Sequence, residues 1–277
     1  MNKFITLSTS TVVLSGILIM TGCSSSDDGG TTTTASVPAN AIVIDATNAE
    51  TTVQAAASSA TTLGSTISVE TTQVLSLKSA LNTIKPILKN ISTANVAAGV
   101  DFSEPCTDGG SISGSETSTD DGTTYTESGT ASFNNCIEGS LTINGAISFA
   151  ESGNYVTGAF TDDISGSITM TFNGGSDSFS FSSFAFSETG NKLNFTYTIN
   201  ELTYAIDFII SGTQGGGFLV GLLAPIVESN GFGCPESGHL LITGANGTTA
   251  EGIYNNDGTM TIKANGADIT TASTCYM

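Results

Sequence analysis

The feature that most constrains this fold is a change in the period of the apolar residues near Asp101. From there onward apolar and polar residues alternate, whereas a surface helix would repeat its apolar residues every three or four positions. Serine and threonine fill most of the intervening positions, which is typical of antiparallel strands with one buried and one wet face. The apolar members are Leu141, Ile143, Ile147, Phe149, Ile168, Met170, Phe172, Phe179, Phe181, Phe184, Phe186, Leu193, Phe195, Tyr197, Ile199, Tyr204, Ile206, Phe208 and Ile210.

Turn signals divide this region and predict roughly ten to twelve strands. They are Asp121-Gly122, Asn144-Gly145, Asn173-Gly174-Gly175, Thr189-Gly190-Asn191, Asn256-Asp257-Gly258 and Asn265-Gly266. Asn144-Gly145 falls inside an alternating segment, so a bulge or tight bend is favoured there over a turn. A flat sheet of so many strands is unusual. We therefore expect a rolled sheet or an incomplete barrel. A closed barrel and a sandwich are the alternatives.

Two helical patterns precede the sheet. Thr47 and Glu50 have the spacing of a capping box, which predicts a helix from there to about Leu63. A second helix is predicted further along the chain, and Pro86 either kinks it or starts a new helix. Its apolar stripe covers fewer than three heptads, which favours packing on the protein's own sheet over a coiled-coil partner. We expect an α+β fold, mainly antiparallel β, with the N-terminal helices packed on the concave face of the sheet. The apolar stripe of the second helix is Val74, Leu77, Leu81, Ile84, Leu88 and Ile91.

Composition excludes several classes of function. The 277 residues include 6 lysines and arginines together against 25 acidic residues, a formal net charge of −19. Such a surface repels phosphate backbones, so we expect no nucleic-acid partner. No GxSxG nucleophile motif and no phosphate-binding loop is present, so we expect neither an enzyme nor a cofactor. His239, the sole histidine, follows Gly238 and opens an apolar strand, and we interpret it as a strand-edge residue rather than a catalytic one.

Two acidic doublets have a functional and a structural interpretation. Asp120-Asp121 and Asp162-Asp163 stand beside turn residues and offer oxygen ligands for calcium. Their spacing matches no EF-hand loop, so solvated turn carboxylates are favoured and we expect no metal site.

The most apolar part of the mature chain is residues 218–227, which follow three glycines. Ten residues cannot cross a bilayer as a helix. A buried central strand, with a bulge at Gly221 and its end at Pro225, is therefore favoured over an exposed lipid or partner contact.

The N-terminal residues have the plan of an export signal. Lys3 is followed by an uncharged, largely apolar stretch over residues 4–20, as in secretory segments. Next comes Met20-Thr21-Gly22-Cys23, which resembles the lipobox of bacterial lipoproteins. The resemblance implies that residues 1–22 are a signal peptide and that Cys23 carries a thioether-linked diacylglycerol and acyl chains such as palmitate, which give stable membrane anchoring. Ser24 after the cysteine implies the outer membrane rather than the inner membrane.

Four cysteines remain after Cys23, and an oxidising compartment favours two disulfides among them. Three pairings are possible. We prefer Cys106 with Cys136 and Cys234 with Cys275, because each pair closes a self-contained block of strand-like sequence. A four-cysteine zinc site would need more closely spaced pairs.

These features divide the chain into four segments. A signal peptide (1–22) precedes a lipidated cysteine with a disordered serine, threonine and glycine tether (23–37), which has nothing to bury. A helical segment (38–92) and an antiparallel β domain (93–277) follow, and we expect 38–277 to form one folded unit.

Two further motifs resemble a pattern in uncharacterised, β-rich envelope lipoproteins of bacteria. One is Phe133-Asn134-Asn135-Cys136 with the LTING segment at 141–145, and the other is Pro235-Glu236-Ser237-Gly238 with TGANG at 243–247. The family implies no activity. We therefore expect a lipid-anchored, non-catalytic protein of the cell envelope, exposed to the periplasm or the cell surface, that binds an apolar ligand or an envelope partner. The alternative is a structural or surface-interaction lipoprotein without a small-molecule ligand.

Overall fold

The computed structural model of the protein describes residues 35–57, 100–172, 178–210, 213–228, 235–269 and 273–274. Several predicted features lie outside these residues: the signal peptide, Cys23, most of the tether, the second helix, the turn at 173–175, Cys234 and Cys275. The described residues belong to one compact unit that spans Thr33–Met277.

One helix and thirteen strands are present in the described ranges. In chain order they are α1 (Ala49–Ala57), β1 (Val100–Pro105), β2 (Gly109–Asp120), β3 (Thr124–Glu138), β4 (Leu141–Asn154), β5 (Ala159–Phe172), β6 (Ser178–Asn191), β7 (Thr196–Ile210), β8 (Thr213–Glu228), β9 (Ser237–Thr243), β10 (Thr249–Tyr254), β11 (Thr259–Ala264), β12 (Ala267–Asp268) and β13 (Ser273–Thr274). A short 3₁₀ turn, Ala245–Gly247, joins β9 to β10.

The strands form one antiparallel sheet in which β1 to β12 pair in sequence order and β13 pairs with β11. The predicted mainly antiparallel β structure is confirmed. Within the described ranges β1 pairs with β2 alone, so the sheet as described is an open path rather than a closed ring. The expected number of strands was slightly low, because β12 and β13 have only 2 residues each.

One face of the sheet carries the core, because residues that lie opposite each other in neighbouring strands are apolar on that side. Ile168 faces Gly145 on one neighbour and Phe181 on the other. All three strands contribute to a single buried apolar cluster that also includes β9 to β11. The alternating pattern therefore identified the buried face of the long strands correctly.

A bulge keeps the phenylalanines of β6 on that face. Phe181 and Phe184 are three residues apart, yet both are buried. Ser183 between them has a φ of +49°, and the pairing with β7 shifts register between Ser182 and Ala185. The extra residue restores the inward direction of the side chains that follow.

The bulge expected at Asn144-Gly145 lies on the facing strand instead. Phe133 pairs with Gly145 and Cys136 pairs with Ile143, so two residues of β3 stand opposite one residue of β4. Asn135 of β3 has a φ of +47°, and its N–H donates to Oδ1 of Asn144 over 2.8 Å. As expected, Asn144-Gly145 makes no turn.

Helix α1 is capped by residues other than the predicted pair. Asp45 Oδ1 accepts the N–H of Asn48, and Asn48 Oδ1 accepts the N–H of Asp45 over 3.0 Å. Asp45 and Asn48 therefore form the two reciprocal hydrogen bonds of a capping box. This box lies two residues before the expected one, Thr47 with Glu50. Glu50 accepts a hydrogen bond from Gln54 instead.

Helix α1 packs on the core face of the last strands. It contacts β9, β10 and β11, and a side chain added at Gly252 would meet Cγ1 of Val53 at 2.6 Å. Gly252 therefore leaves the space in which the helix approaches the sheet. No helix among the described residues is long and apolar enough to cross a membrane.

Strand β8 lies between β7 and β9, in agreement with the predicted central strand at 218–227. One detail of that prediction was wrong, because the strand continues through Pro225 to Glu228. The irregularities in its pairing with β9 flank Ala224, and its pairing with β7 is irregular between Val220 and Ile226, a stretch that contains Gly221. The proline is tolerated because it stands where the ladder is already interrupted.

The disulfide between Cys106 and Cys136 is formed, with a Cα–Cα distance of 5.4 Å. It links the β1–β2 turn to the bulged part of β3. This confirms the first of the two expected pairs, and the second lies outside the described residues.

Candidate functional site

Three aromatic side chains cross the core face near one end of the sheet, and we call them the aromatic row: Tyr125, Phe160 and Tyr197. Glycines stand between them, because Tyr125 pairs with Gly153, which pairs with Phe160. Phe160 in turn pairs with Gly190, which pairs with Tyr197. A Cβ at Gly153 would lie 2.4 Å from the Tyr125 ring, and one at Gly190 would lie 2.7 Å from the Phe160 ring. The rings therefore extend over the neighbouring glycines.

On the same face, two residues further along each strand, four acidic side chains stand opposite one another on successive strands. We call them the acidic row, and they are Glu127, Glu151, Asp162 and Glu188. Asp162 is only 7% exposed and Glu188 only 6%. Like charges in directly opposed positions destabilise a sheet, so this concentration of four acidic side chains beside the aromatic row is an unusual arrangement.

Lys192 brings a positive charge to this place. Its Nζ lies 5.0 Å from the centre of the Phe160 ring and 5.7 Å from that of Tyr125, within the range of cation–π attraction. Nζ donates to the hydroxyl of Tyr125 over 3.1 Å and lies 3.4 Å from Oε1 of Glu151. The hydroxyl of Tyr125 donates to the same Oε1 over 2.7 Å. We call Tyr125, Glu151 and Phe160 the ammonium cage.

The contacts in the cage fix its charge states. Burial lowers the pKa of the Lys192 ammonium, but the hydrogen bond to Tyr125 and the charge of Glu151 outweigh it, and the pKa is raised overall. Burial, followed by the hydrogen bond to Glu151, raises the pKa of the Tyr125 phenol. At neutral pH the cage therefore holds a charged ammonium against a neutral phenol.

Two neighbouring turns of similar chemistry frame the cage. In the β4–β5 turn, Oδ1 of Asn154 accepts the N–H groups of Val156 and Thr157, over 2.9 and 2.8 Å. In the β6–β7 turn, Oδ1 of Asn191 accepts those of Leu193 and Asn194, over 2.9 and 3.0 Å.

The two turns are joined to each other by two hydrogen bonds. Nδ2 of Asn191 donates to the carbonyl of Thr157 over 2.8 Å, and the backbone N–H of Lys192 donates to the carbonyl of Gly158, also over 2.8 Å. The pair of turns is therefore held as one unit, independently of the Lys192 side chain.

The joined turns expose four large apolar side chains, which we call the tip patch. Val156 is 71% exposed, Leu193 60%, Phe195 58% and Tyr155 55%. The alternation had placed Leu193 and Phe195 in a strand, and Thr189-Gly190-Asn191 in a turn. Both interpretations were wrong, because the carboxamide of Asn191 ends β6 and bends residues 192–195 outward. Tyr155 also packs on Tyr125, with 5.1 Å between the ring centres.

The chain matches no protein-family model, no curated protein and no solved structure.

The acidic doublets of the sequence have different surroundings. Oδ1 of Asp120 accepts the N–H of Gly122 over 2.8 Å, and Asp121 accepts two further N–H groups of the same turn. Asp162 and Asp163 lie within β5 rather than beside a turn. Because successive side chains of a strand point to opposite faces, their carboxylates are directed apart, Asp162 into the acidic row and Asp163 to the exposed face.

His239 is paired with a carboxylate on the half-exposed face of β9. Its Nε2 lies 2.8 Å from Oε2 of Glu251 on β10. Within the described ranges no serine hydroxyl is hydrogen-bonded to His239. The geometry is that of a hydrogen-bonded pair across two strands near the end of the sheet.

The two cysteine sulfurs and the neighbouring carboxylate have a structural role. Sulfur atoms of Cys106 and Cys136 and a carboxylate oxygen of Glu138 lie within 4.8 Å of one another. Both sulfurs are committed to the disulfide, and Oε1 of Glu138 accepts the N–H of Thr107 over 3.0 Å. The arrangement holds the β1–β2 turn against the end of β3.

Sequence reasoning missed the ammonium cage altogether. Tyr125 and Glu151 are 26 positions apart, and Lys192 is 67 positions from Tyr125. One signal was available: glycines at 153 and 190 occupy core-facing positions of the alternation, each next to the last residue of its strand. Such glycines mark a close approach of another group to the strand.

Proposed function

We propose that this is a lipid-anchored, non-catalytic protein of the bacterial cell envelope, which binds an envelope partner or an apolar ligand through its tip patch. One observation carries the proposal: four large apolar side chains are each more than half exposed on two joined turns. Single exposed apolar residues are ordinary on protein surfaces, whereas several on one pair of joined turns support an interaction site.

The anchor completes the proposal. Residues 1–22 would be removed, Cys23 would carry the acyl chains, and residues 23–37 would form a tether to the outer membrane. We further propose that the sheet is rolled, or forms an incomplete barrel, with the N-terminal helices on its concave face. The packing of α1 on the core face of β9 to β11 supports this arrangement.

The position where the tether would join supports binding at the tip. The N–H of Ile42 donates to the carbonyl of Gly217 over 2.9 Å, and Gly217 pairs with Asp207 of β7. Tyr197 of the aromatic row is also on β7, about 30 Å away at roughly 3.3 Å per residue. The tip patch would therefore extend from the end of the sheet that is remote from Ile42, near which the tether would join.

The phenylalanine-rich face favours a surface contact over an enclosed ligand. Phe179, Phe181, Phe184 and Phe186 are buried within the packed core cluster. The alternative, a structural or surface-interaction lipoprotein without a small-molecule ligand, would use the same tip patch against another envelope component. Either role fits the hydrogen bond between His239 and Glu251, which needs no catalytic function.

Site-specific crosslinking in intact cells tests binding at the tip. A photoreactive residue at position 156 should give a discrete adduct, and the double substitution Leu193→Asp with Phe195→Asp should abolish it. The matched control carries the photoreactive residue at Leu223, which is 57% exposed but lies on β8 outside the tip patch. Identical adducts from both positions, or none from position 156, would refute the proposal.

Mass spectrometry of the purified mature protein tests the anchor. We expect an N-terminal peptide that begins at Cys23 and carries acyl chains. A Cys23→Ser variant should lack them and leave the membrane fraction. Retention of residues 1–22 on the native protein would contradict the anchor while leaving the tip patch to be judged by crosslinking.

A further inference from the structure

We propose that the ammonium cage binds an external alkylammonium group and that Lys192 occupies the cage when this ligand is absent. The inference rests on the proposed function, because it names the chemistry of the ligand that the tip would recognise. The ligand is a primary amine on an apolar chain. A free alkylamine and the lysine side chain of a partner protein share that chemistry.

The cage already shows that it can hold such a group. Phe160 and Tyr125 offer ring faces 5.0 and 5.7 Å from Nζ, Tyr125 offers a hydrogen-bond acceptor 3.1 Å away, and Glu151 offers a negative charge 3.4 Å away. Ring faces and carboxylates attract any organic cation. The hydrogen bond to the phenol also requires an N–H group, so primary amines are favoured over quaternary ones.

Lys192 can leave the cage without unfolding its turn. Its side chain is 56% exposed, so a rotation takes the ammonium into solvent. The turn stays in place because its anchors are the backbone N–H of Lys192 on Gly158 and the carboxamide of Asn191 on Thr157. Displacement therefore exchanges one ammonium for another at little structural cost.

The surroundings suit both parts of the ligand. Glu151 of the cage is itself a member of the acidic row, and the chain as a whole carries a net charge of −19, so a cation is attracted to this end of the sheet. The tip patch, on the two turns that frame the cage, offers apolar contact for the alkyl chain. A ligand with a positively charged group on an apolar chain would therefore contact both the negative charge at the cage and the apolar tip patch.

An internal occupant lowers the apparent affinity for an external one. The observed dissociation constant equals the intrinsic one divided by the fraction of molecules in which the cage is empty. Removal of Lys192 should therefore strengthen binding of the external amine, although a favourable contact of the free protein is lost. A purely structural lysine would give no such gain.

Calorimetric titration of the full chain in a non-ionic detergent tests the proposal. The probes are n-hexylammonium, Nα-acetyl-lysine methylamide and the uncharged n-hexanol. The variants are Lys192→Ala, Lys192→Gln and the matched control Lys263→Ala, which removes a lysine paired with Asp268 over 3.8 Å. Thermal melts of each variant show that it is folded, and Lys192→Gln serves if Lys192→Ala is not.

We expect Lys192→Ala to bind hexylammonium about tenfold more tightly than the wild type, and Lys263→Ala to bind as the wild type does. Adding Glu151→Gln to Lys192→Ala should reverse the gain. Binding of the lysine derivative as well would identify a partner's lysine as a source, and binding of hexylammonium alone would identify a free amine.

No gain in Lys192→Ala, or equal binding of hexanol, would overturn the inference. Such a result is distinguishable from failure of the proposed function, because crosslinking from position 156 reports on the tip patch without reference to amines. A tip that gives adducts in cells but ignores amines would leave the proposed function standing.

Discussion

The ring of Tyr125 lies over the backbone of Gly153, so closely that a Cβ atom there would be 2.4 Å from Cε1 of the ring. Because the obstacle is a side chain rather than backbone, we expect Gly153→Ala to displace the ring and not to unfold the sheet. The cost should be about 1 kcal/mol in the free energy of unfolding. Loss of the Tyr125 contacts should also return the pKa of Lys192 towards its ordinary value, which NMR titration measures.

Gly221→Ala is the matched control for that experiment. Gly221 also lies within a strand, but a Cβ there would meet only Oγ1 of Thr203 at 3.7 Å, an ordinary contact. An unchanged pKa of Lys192 in Gly153→Ala would show that the phenol does not hold the ammonium.

The hydroxyl of Tyr254 is buried and has no hydrogen-bond partner among the residues that the structure describes, and burial raises the pKa of this phenol. An unsatisfied buried hydroxyl costs folding free energy. We therefore expect Tyr254→Phe to raise the free energy of unfolding by about 1 kcal/mol, measured by urea denaturation.

Tyr125→Phe provides the contrast, because it removes a hydroxyl that bonds Glu151 and Lys192. This variant should be destabilised. If Tyr254→Phe were destabilised to the same extent, the hydroxyl of Tyr254 would have a partner such as an ordered water.

The pKa of Asp121 is lowered by the backbone N–H of Thr124, followed by that of Thr123 and the Thr124 hydroxyl. A carboxyl with a lowered folded-state pKa stabilises the protein above its unfolded pKa of about 3.9, and this stabilisation is lost as the pH falls through the folded value. We expect wild type to be more stable than Asp121→Asn at neutral pH and the difference to shrink below about pH 4.

Urea denaturation of both proteins at a series of pH values measures this difference. Asp257→Asn should behave in the same way, because hydrogen bonds from Thr259 lower the pKa of Asp257 in the β10–β11 turn. A stability difference that stays constant down to about pH 2 would contradict the expectation.

The disulfide between Cys106 and Cys136 closes a loop with a sequence separation of 30. A loop of this length restricts the unfolded chain, and the entropy model gives about 3 to 4 kcal/mol of stabilisation. We expect the double variant Cys106→Ala with Cys136→Ala to lose about that amount in urea denaturation. Wild type in reducing buffer should approach the variant, and a variant as stable as oxidised wild type would rule out the contribution.

The sequence predicted the buried face of the long strands because alternation reports burial directly. Its failure at Leu193 and Phe195 has a clear cause. The period continues through these residues, but the hydrogen bonds of the Asn191 carboxamide bend the backbone there. A side chain that bonds its own backbone competes with the ladder, and hydropathy does not record this competition.

The ammonium cage depends on cross-strand register, which the sequence leaves open. Tyr125 meets Gly153 only because two residues of β3 stand opposite Asn144 in the same hairpin. A slip of one residue would send Tyr125 to the other face. Individual strands were therefore accessible to prediction, whereas contacts that span several hairpins were not.

The sequential order of β1 to β12 has a consequence for how the chain assembles. Each strand from β2 to β12 pairs with the strand that precedes it in the chain. The sheet can therefore grow from its amino-terminal edge while later parts of the polypeptide are not yet available for folding. Contacts between adjacent segments also keep loop-closure costs low, which favours rapid folding. A chain lacking its later strands would form a shorter sheet whose last strand has one unpaired edge, and no earlier strand would lack a partner from a distant part of the sequence.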